Sequence, residues 1–139
     1  MTGYVNLGDC LVLLSGWILG PILGPIASGI GSMFADIFTS YLHYAPGTLV
    51  IKAIMALIAA VTAKSFKKKN GFASHIFGGI MAELFMVAGY FGYCFLLLGR
   101  GLAAASSIPG NLVQGTFGVT AAVLIYALLE RTKLLKSIA

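Results

Sequence analysis

Asp36 and Lys52 are charges inside two long apolar runs, residues 22–42 and 47–63, joined by a short polar hinge. Each charge alone would cost about 2.5–3.5 kcal/mol near the centre of a membrane-spanning helix. At helical rise Asp36 lies roughly 9 Å inside the outer end of its run and Lys52 roughly 8 Å inside the start of its own. Matching depth on antiparallel neighbours leaves an ion pair open to them. Such a pair either fixes helix register or turns one or both charges toward a bound solute. Glu83 sits near the middle of a third run, where charge is most costly, and Tyr90 follows seven residues later on the same face. A carboxylate and a tyrosine among apolar neighbours suit a small ring with polar substituents. The structural alternative is a protonated or snorkelling Glu83.

Further polar residues collect at the same membrane level. Asn111 and Gln114 are three apart at the start of the last apolar run and share a helix face. Amides both donate and accept, which suits the edge of a heterocycle, though they serve interhelical hydrogen bonding equally well. Asn6 and Asp9 lie at the mouth of the first run. Tyr41 and His43 crowd the hinge, where aromatic residues also form interfacial belts. No nucleophile–base spacing or metal-ligand cluster accompanies these groups, so an intramembrane enzyme built on Asp36, Glu83 and His43 is the weakest reading. No catalytic residue, metal or cofactor is expected. Cys10 and Cys94 lie in apolar segments and read as buried free thiols.

The elements that hold these residues follow from composition. Of 139 residues, 59% are hydrophobic and 9% charged, against about 25% charged in soluble domains. An all-α, polytopic membrane protein of one domain, residues 1–139, is the expectation. A span needs about 20 apolar residues. On that measure the chain divides into about five spans, near 7–20, 22–42, 47–63, 72–98 and 108–129. Gly20-Pro21, Ala45-Pro46-Gly47 and Pro109-Gly110 punctuate them. Lys64, Lys67, Lys68 and Lys69 follow the third span, and Arg131, Lys133 and Lys136 follow the fifth. The positive-inside rule makes those ends cytoplasmic, the C-terminus included. The basic residues therefore mark topology, and nucleic acid is not an expected partner. Asn6, Asp9, Asp36, Lys52, Tyr90, Asn111 and Gln114 then map to the outer half, as a pocket open outward and closed inward.

Small residues recur four apart: Gly16, Gly20 and Gly24, then Ala27, Gly31 and Ala35. Such stripes let helix backbones approach in lipid. They serve packing within the chain or a docking face for another membrane subunit.

The run YVNLGDCLVLLSGWILGPILG, then IGSMFADIFTSYLHYAPGTLVIKAIMALIAA, then IPGNLVQGTFGV resembles the substrate-binding S components of energy-coupling factor (ECF) vitamin transporters. The match is nearest the group handling pyridoxine, hydroxymethylpyrimidine or riboflavin, with the first two favoured. The resemblance implies a bacterial cell-membrane subunit that captures a vitamin from outside as its transported solute. It implies partners as well: a transmembrane coupling protein and two ABC ATPases, which supply the ATP chemistry, since this chain carries no P-loop. The family fold has six spans. Five spans here predict that the first helix, which docks on the coupling protein, is missing. The alternatives are a small non-transport membrane scaffold or a shortened S component unable to couple.

Overall fold

A computed structural model describes residues 7–66 and 71–138. Asn6 and Lys67 to Lys69 lie outside the described residues. The chain forms helices α1 Gly8–Phe38, α2 Ala45–Ser65, α3 Gly71–Gly92, α4 Ser107–Arg131 and the short α5 Leu134–Ile138. A π-helical stretch, Tyr93–Leu97, extends α3, and a 3-10 stretch, Gly101–Ser106, leads into α4. The all-helical membrane class expected from the sequence is what the structure shows: α1 to α4 are all long and apolar enough to cross a membrane.

Inside α1 the chain turns back on itself. Gly20 has φ 84° and ψ −172°, a conformation open to glycine and closed to residues with a Cβ. Pro21 enforces it by disfavouring helical geometry in the residue before it, and its fixed φ then starts the next helical stretch. Contacts across the bend show a reversal. A Cβ on Gly24 would lie 2.8 Å from the Ser15 carbonyl oxygen and 2.9 Å from the Gly16 Cα. Ser28 Oγ reaches the Val12 carbonyl at 3.5 Å, whereas a straight helix would hold those residues about 24 Å apart. α1 is therefore a helical hairpin with antiparallel arms, residues 8–19 and 21–38. The first arm is about 18 Å long and the second about 27 Å.

The hairpin packs on α2 through residues too small to keep backbones apart. A Cβ on Gly16 would sit 2.4 Å from the Ala56 carbonyl oxygen, and one on Gly29 2.7 Å from that of Leu49. Leu13, Met55, Met86, Ala56, Ala59 and Ala122 are at most 0% exposed and form the centre where α1 to α4 meet. Large apolar side chains such as Ile22, Leu23, Leu96 and Phe117 point outward, the arrangement a hydrocarbon solvent permits. Successive helices alternate in direction. One end of the bundle gathers the hairpin bend, Lys64 and Arg131, and a Cβ on Gly20 would lie 3.9 Å from Lys64 Nζ. The other end gathers the starts of α1, α2 and α4 and the end of α3.

Gly16→Ala should lower the melting temperature of the detergent-solubilised protein, an overpacking penalty of about 1–3 kcal/mol. Gly31→Ala should leave it unchanged, because nothing lies within 4 Å of a Cβ there. Equal melting temperatures for the two variants would contradict the hairpin packing.

Candidate functional site

At the end away from the hairpin bend, all four long helices surround a cavity of about 690 Å³. Pockets for drug-sized ligands run about 300–1,000 Å³. A charged cross-helix cluster forms part of its lining. Lys52, on α2, is ion-paired with Asp9, in the first turn of α1. The second Asp9 oxygen accepts a hydrogen bond from Gln114 Nε2 of α4 at 2.7 Å. Lys52 Nζ lies 5.5 Å from the centroid of the Tyr90 ring of α3, within cation–π range. The Tyr90 hydroxyl pairs with Thr48 Oγ1 at 2.8 Å. Asp9 is 1% exposed and Lys52 5%. At that burial the pair persists only because each charge has its counter-charge and further polar contacts.

The Lys52 partner differs from the one the matching depths suggested. Asp36 does not take the ion pair, because the reversal at Gly20 brings the first arm of α1, with Asp9, against α2. Asp36 instead stands on the cavity wall, and its Oδ2 is buried with no hydrogen-bond partner among the described residues. Tyr41 and Asn111 also line the wall. His43 does not: it is exposed, and its ring lies 4.5 Å from that of Tyr44 at the rim. Glu83 lies off the wall as well, deeper in the bundle and 6% exposed. It fits against glycines of α4: a Cβ on Gly118 would lie 3.0 Å from Glu83 Oε1 and 2.8 Å from Asp9 Cβ. Neither Glu83 oxygen has a hydrogen-bond partner among the described residues. Glu83 therefore sits beside Asp9, off the cavity lining.

The bend at Gly20 divides the small-residue stripe between the two arms of α1. Gly16 and Gly24 are consumed in packing within the chain, Gly20 is the bend, and Ala27, Gly31 and Ala35 line the cavity. Folding α1 into a hairpin leaves Gly16 and Gly24 buried, whereas Ala27, Gly31 and Ala35 are exposed.

Two wall residues carried little signal in the sequence. Thr48 lies four residues before Lys52, hence on the same face of α2. Arg100 lies in the sequence between the apolar runs 72–98 and 108–129. The π-helical and 3-10 stretches after α3 fold that loop back over the mouth, where the guanidinium lies 5.8 Å from the Tyr44 ring centroid. Burial pushes the Tyr44 phenol up to about 12; Cys94 reinforces the shift and Arg100 opposes it. Tyr44 is thus a neutral hydroxyl at physiological pH. Among the described residues no group of three His, Cys, Asp or Glu is placed to hold a metal ion. Charge, amide and phenol groups surround the space, a set suited to holding a polar solute by hydrogen bonds.

Comparison with known proteins gives one family and one curated relative. Residues 1–131 match the family described as ECF-type riboflavin transporter, S component. A Pyrococcus woesei protein described as an uncharacterized protein in gap 3'region is 31% identical over 117 residues, 84% of this chain and 76% of the relative. No solved structure matches.

Removing one member of a buried ion pair strands the other, at about 3–5 kcal/mol. Lys52→Met and Asp9→Asn should therefore each lower the melting temperature sharply. The double variant should recover much of the loss, a coupling that a double-mutant cycle reads directly. Additive losses would show that the two charges do not stabilise each other.

Proposed function

Because the chain belongs to the family of ECF-type riboflavin transporter S components, we propose that it captures a heterocyclic B-type vitamin from the outer side of the membrane for ATP-driven import. One observation carries this reading. The cavity lies toward one end of the bundle, lined by the Asp9–Lys52 pair and Gln114, and a packed core forms where α1 to α4 meet.

Riboflavin is the first solute to test. The sequence resemblance favoured pyridoxine or hydroxymethylpyrimidine, which are single-ring solutes. A cavity of about 690 Å³ walled by Tyr41, Tyr44 and Tyr90 favours a larger, flatter ring, and the family description points the same way. Asn111 and Gln114 supply amides for a ring edge that both donates and accepts. The phenols give it faces on which to lie. The energising partners in this proposal are a transmembrane coupling protein and two ABC ATPases. Lys64, Arg131, Lys133 and Lys136 gather at the end away from the cavity and support a cytoplasmic C-terminus.

In a thermal-shift panel of B vitamins on the purified protein, riboflavin should raise the melting point. At 100 times its dissociation constant a ligand adds about 2.7 kcal/mol. Asn111→Ala should weaken that binding by about tenfold, the loss of a hydrogen bond worth about 1 kcal/mol or slightly more. A panel in which no vitamin shifts the melting point would defeat the proposal. A fluorescent-protein fusion at the C-terminus should glow and a phosphatase fusion stay inactive; the reverse pattern would invert the orientation.

A further inference from the structure

Glu83 is a buried ionisable group that the capture reading leaves without a task. Its side chain lies inside the bundle at 6% exposure, off the cavity lining. Neither of its oxygens has a hydrogen-bond partner among the described residues. Asp9 is its neighbour. Glu83 Oε1 lies 3.0 Å, and Asp9 Cβ 2.8 Å, from the place a Cβ on Gly118 would take. The two acidic side chains, one from α3 and one from α1, thus press on the same glycine of α4.

The two carboxyls are not equivalent. Asp9 is ion-paired with Lys52 and accepts from Gln114 Nε2 at 2.7 Å, so its charge is matched by a cation and a donor. Glu83 has no donor among the described residues, and Lys52 is already engaged by Asp9. The charged groups that act on Glu83 are Asp9 from α1 and Lys52 from α2. From α4 it meets Gly115 and Gly118, and Tyr90 lies about two turns further along α3. Two carboxylates and one ammonium sum to a net negative charge, which is costly in a hydrocarbon surround. A single positive charge at Glu83 restores the balance. Packing decides its kind. A metal ion needs about six oxygen ligands around it, whereas here the backbone of α4 crowds the carboxyl. Cβ atoms on Gly115 and Gly118 would each stand 3.0 Å from one of its oxygens. A proton needs a single oxygen.

We propose that Glu83 is a proton-binding site linked to the solute site: as the neutral acid it leaves Lys52 wholly to Asp9, and loss of its proton weakens solute binding. An ionised Glu83 repels Asp9 and competes with it for Lys52. Asp9, Lys52 and Gln114 line the cavity, so a disturbance of their pairing reaches the solute. Such linkage is reciprocal: a proton that favours the solute is itself favoured by the solute. Affinity is therefore full while Glu83 holds its proton, and falls as pH rises and the proton leaves. The inference rests on the capture reading above and adds a second bound species, the proton, with the residue that carries it.

Two measurements on the purified full chain test this. Infrared spectra at neutral pH, with no solute, should show the carbonyl stretch of a protonated carboxylic acid. The band should be lost in Glu83→Gln, and lost from the unaltered protein as pH rises. Riboflavin affinity, followed by quenching of flavin fluorescence, is then read from mildly acidic to mildly alkaline pH. In the unaltered protein it should fall about fivefold or more, the lower edge of coupling between linked sites. Band and affinity should decline together, a comparison that needs no variant. Glu83→Gln keeps the shape of the neutral acid and cannot ionise, so its affinity should stay within about twofold across the series; it also subtracts any titration of the flavin itself. A band that persists in Glu83→Gln, or an affinity in the unaltered protein that is flat with pH, would overturn the proton site and leave flavin capture standing. So would an affinity that follows sodium at fixed pH, when choline replaces it, and not pH at fixed sodium. An unaltered protein that binds no riboflavin at any pH would overturn flavin capture, and the linkage with it.

Discussion

The Asp9–Lys52 ion pair is the contact on which the outer half of this protein depends. A charge in a hydrocarbon surround must find its opposite, and each partner sits on a different helix. The remaining polar contacts build outward from that pair. Gln114 brings in α4 through the second Asp9 oxygen, and Tyr90 brings in α3 through its ring over the ammonium. One electrostatic requirement therefore draws four helices to one point and makes that point part of a cavity lining. The same groups that hold the bundle together also line the cavity.

What lets those charges meet is close approach of backbones. In lipid no hydrophobic force drives helices together, so packing must come from surface fit. Gly16 against Ala56 and Gly29 against Leu49 remove the side chains that would hold α1 away from α2. The bend at Gly20 completes the arrangement by returning α1 along itself, so that both its arms face α2 and the cavity. Membrane burial, small-residue packing and one glycine with a positive φ thus cooperate to place an N-terminal aspartate opposite a lysine 43 positions away. Glu83 belongs to the same polar centre, but its placement against Gly115 and Gly118 puts it beside Asp9, off the cavity lining.

Much of the site was legible residue by residue. Asp9, Asp36, Tyr41, Lys52, Tyr90, Asn111 and Gln114 all stand on the cavity wall, because polar residues in an apolar run have few places to go other than an interior surface. His43 and Glu83 lie off the wall for opposite reasons. His43 sits in a hinge, where turn geometry and not periodicity decides direction, and it faces outward. Glu83 shares a helix face with Tyr90, but depth along the helix separates a wall residue from one off the lining. Arg100 escaped notice because the loop that carries it acquires a position only when the π-helical and 3-10 stretches fold it over Tyr44.

Composition and periodicity by themselves determined a helical membrane protein and several of the polar residues found on its cavity wall. These follow from the length of a span, the expense of buried charge and the bias of basic residues, all of which are local or one-dimensional properties. Only the tertiary structure decided which carboxylate pairs with Lys52, which glycines pack inward, and which row of residues becomes cavity wall. Pairing depends on the direction in which each helix is turned about its own axis. That rotation is set by contacts between segments far apart in the chain, where Gly16 meets Ala56 and Asp9 meets Lys52, and no local pattern encodes it.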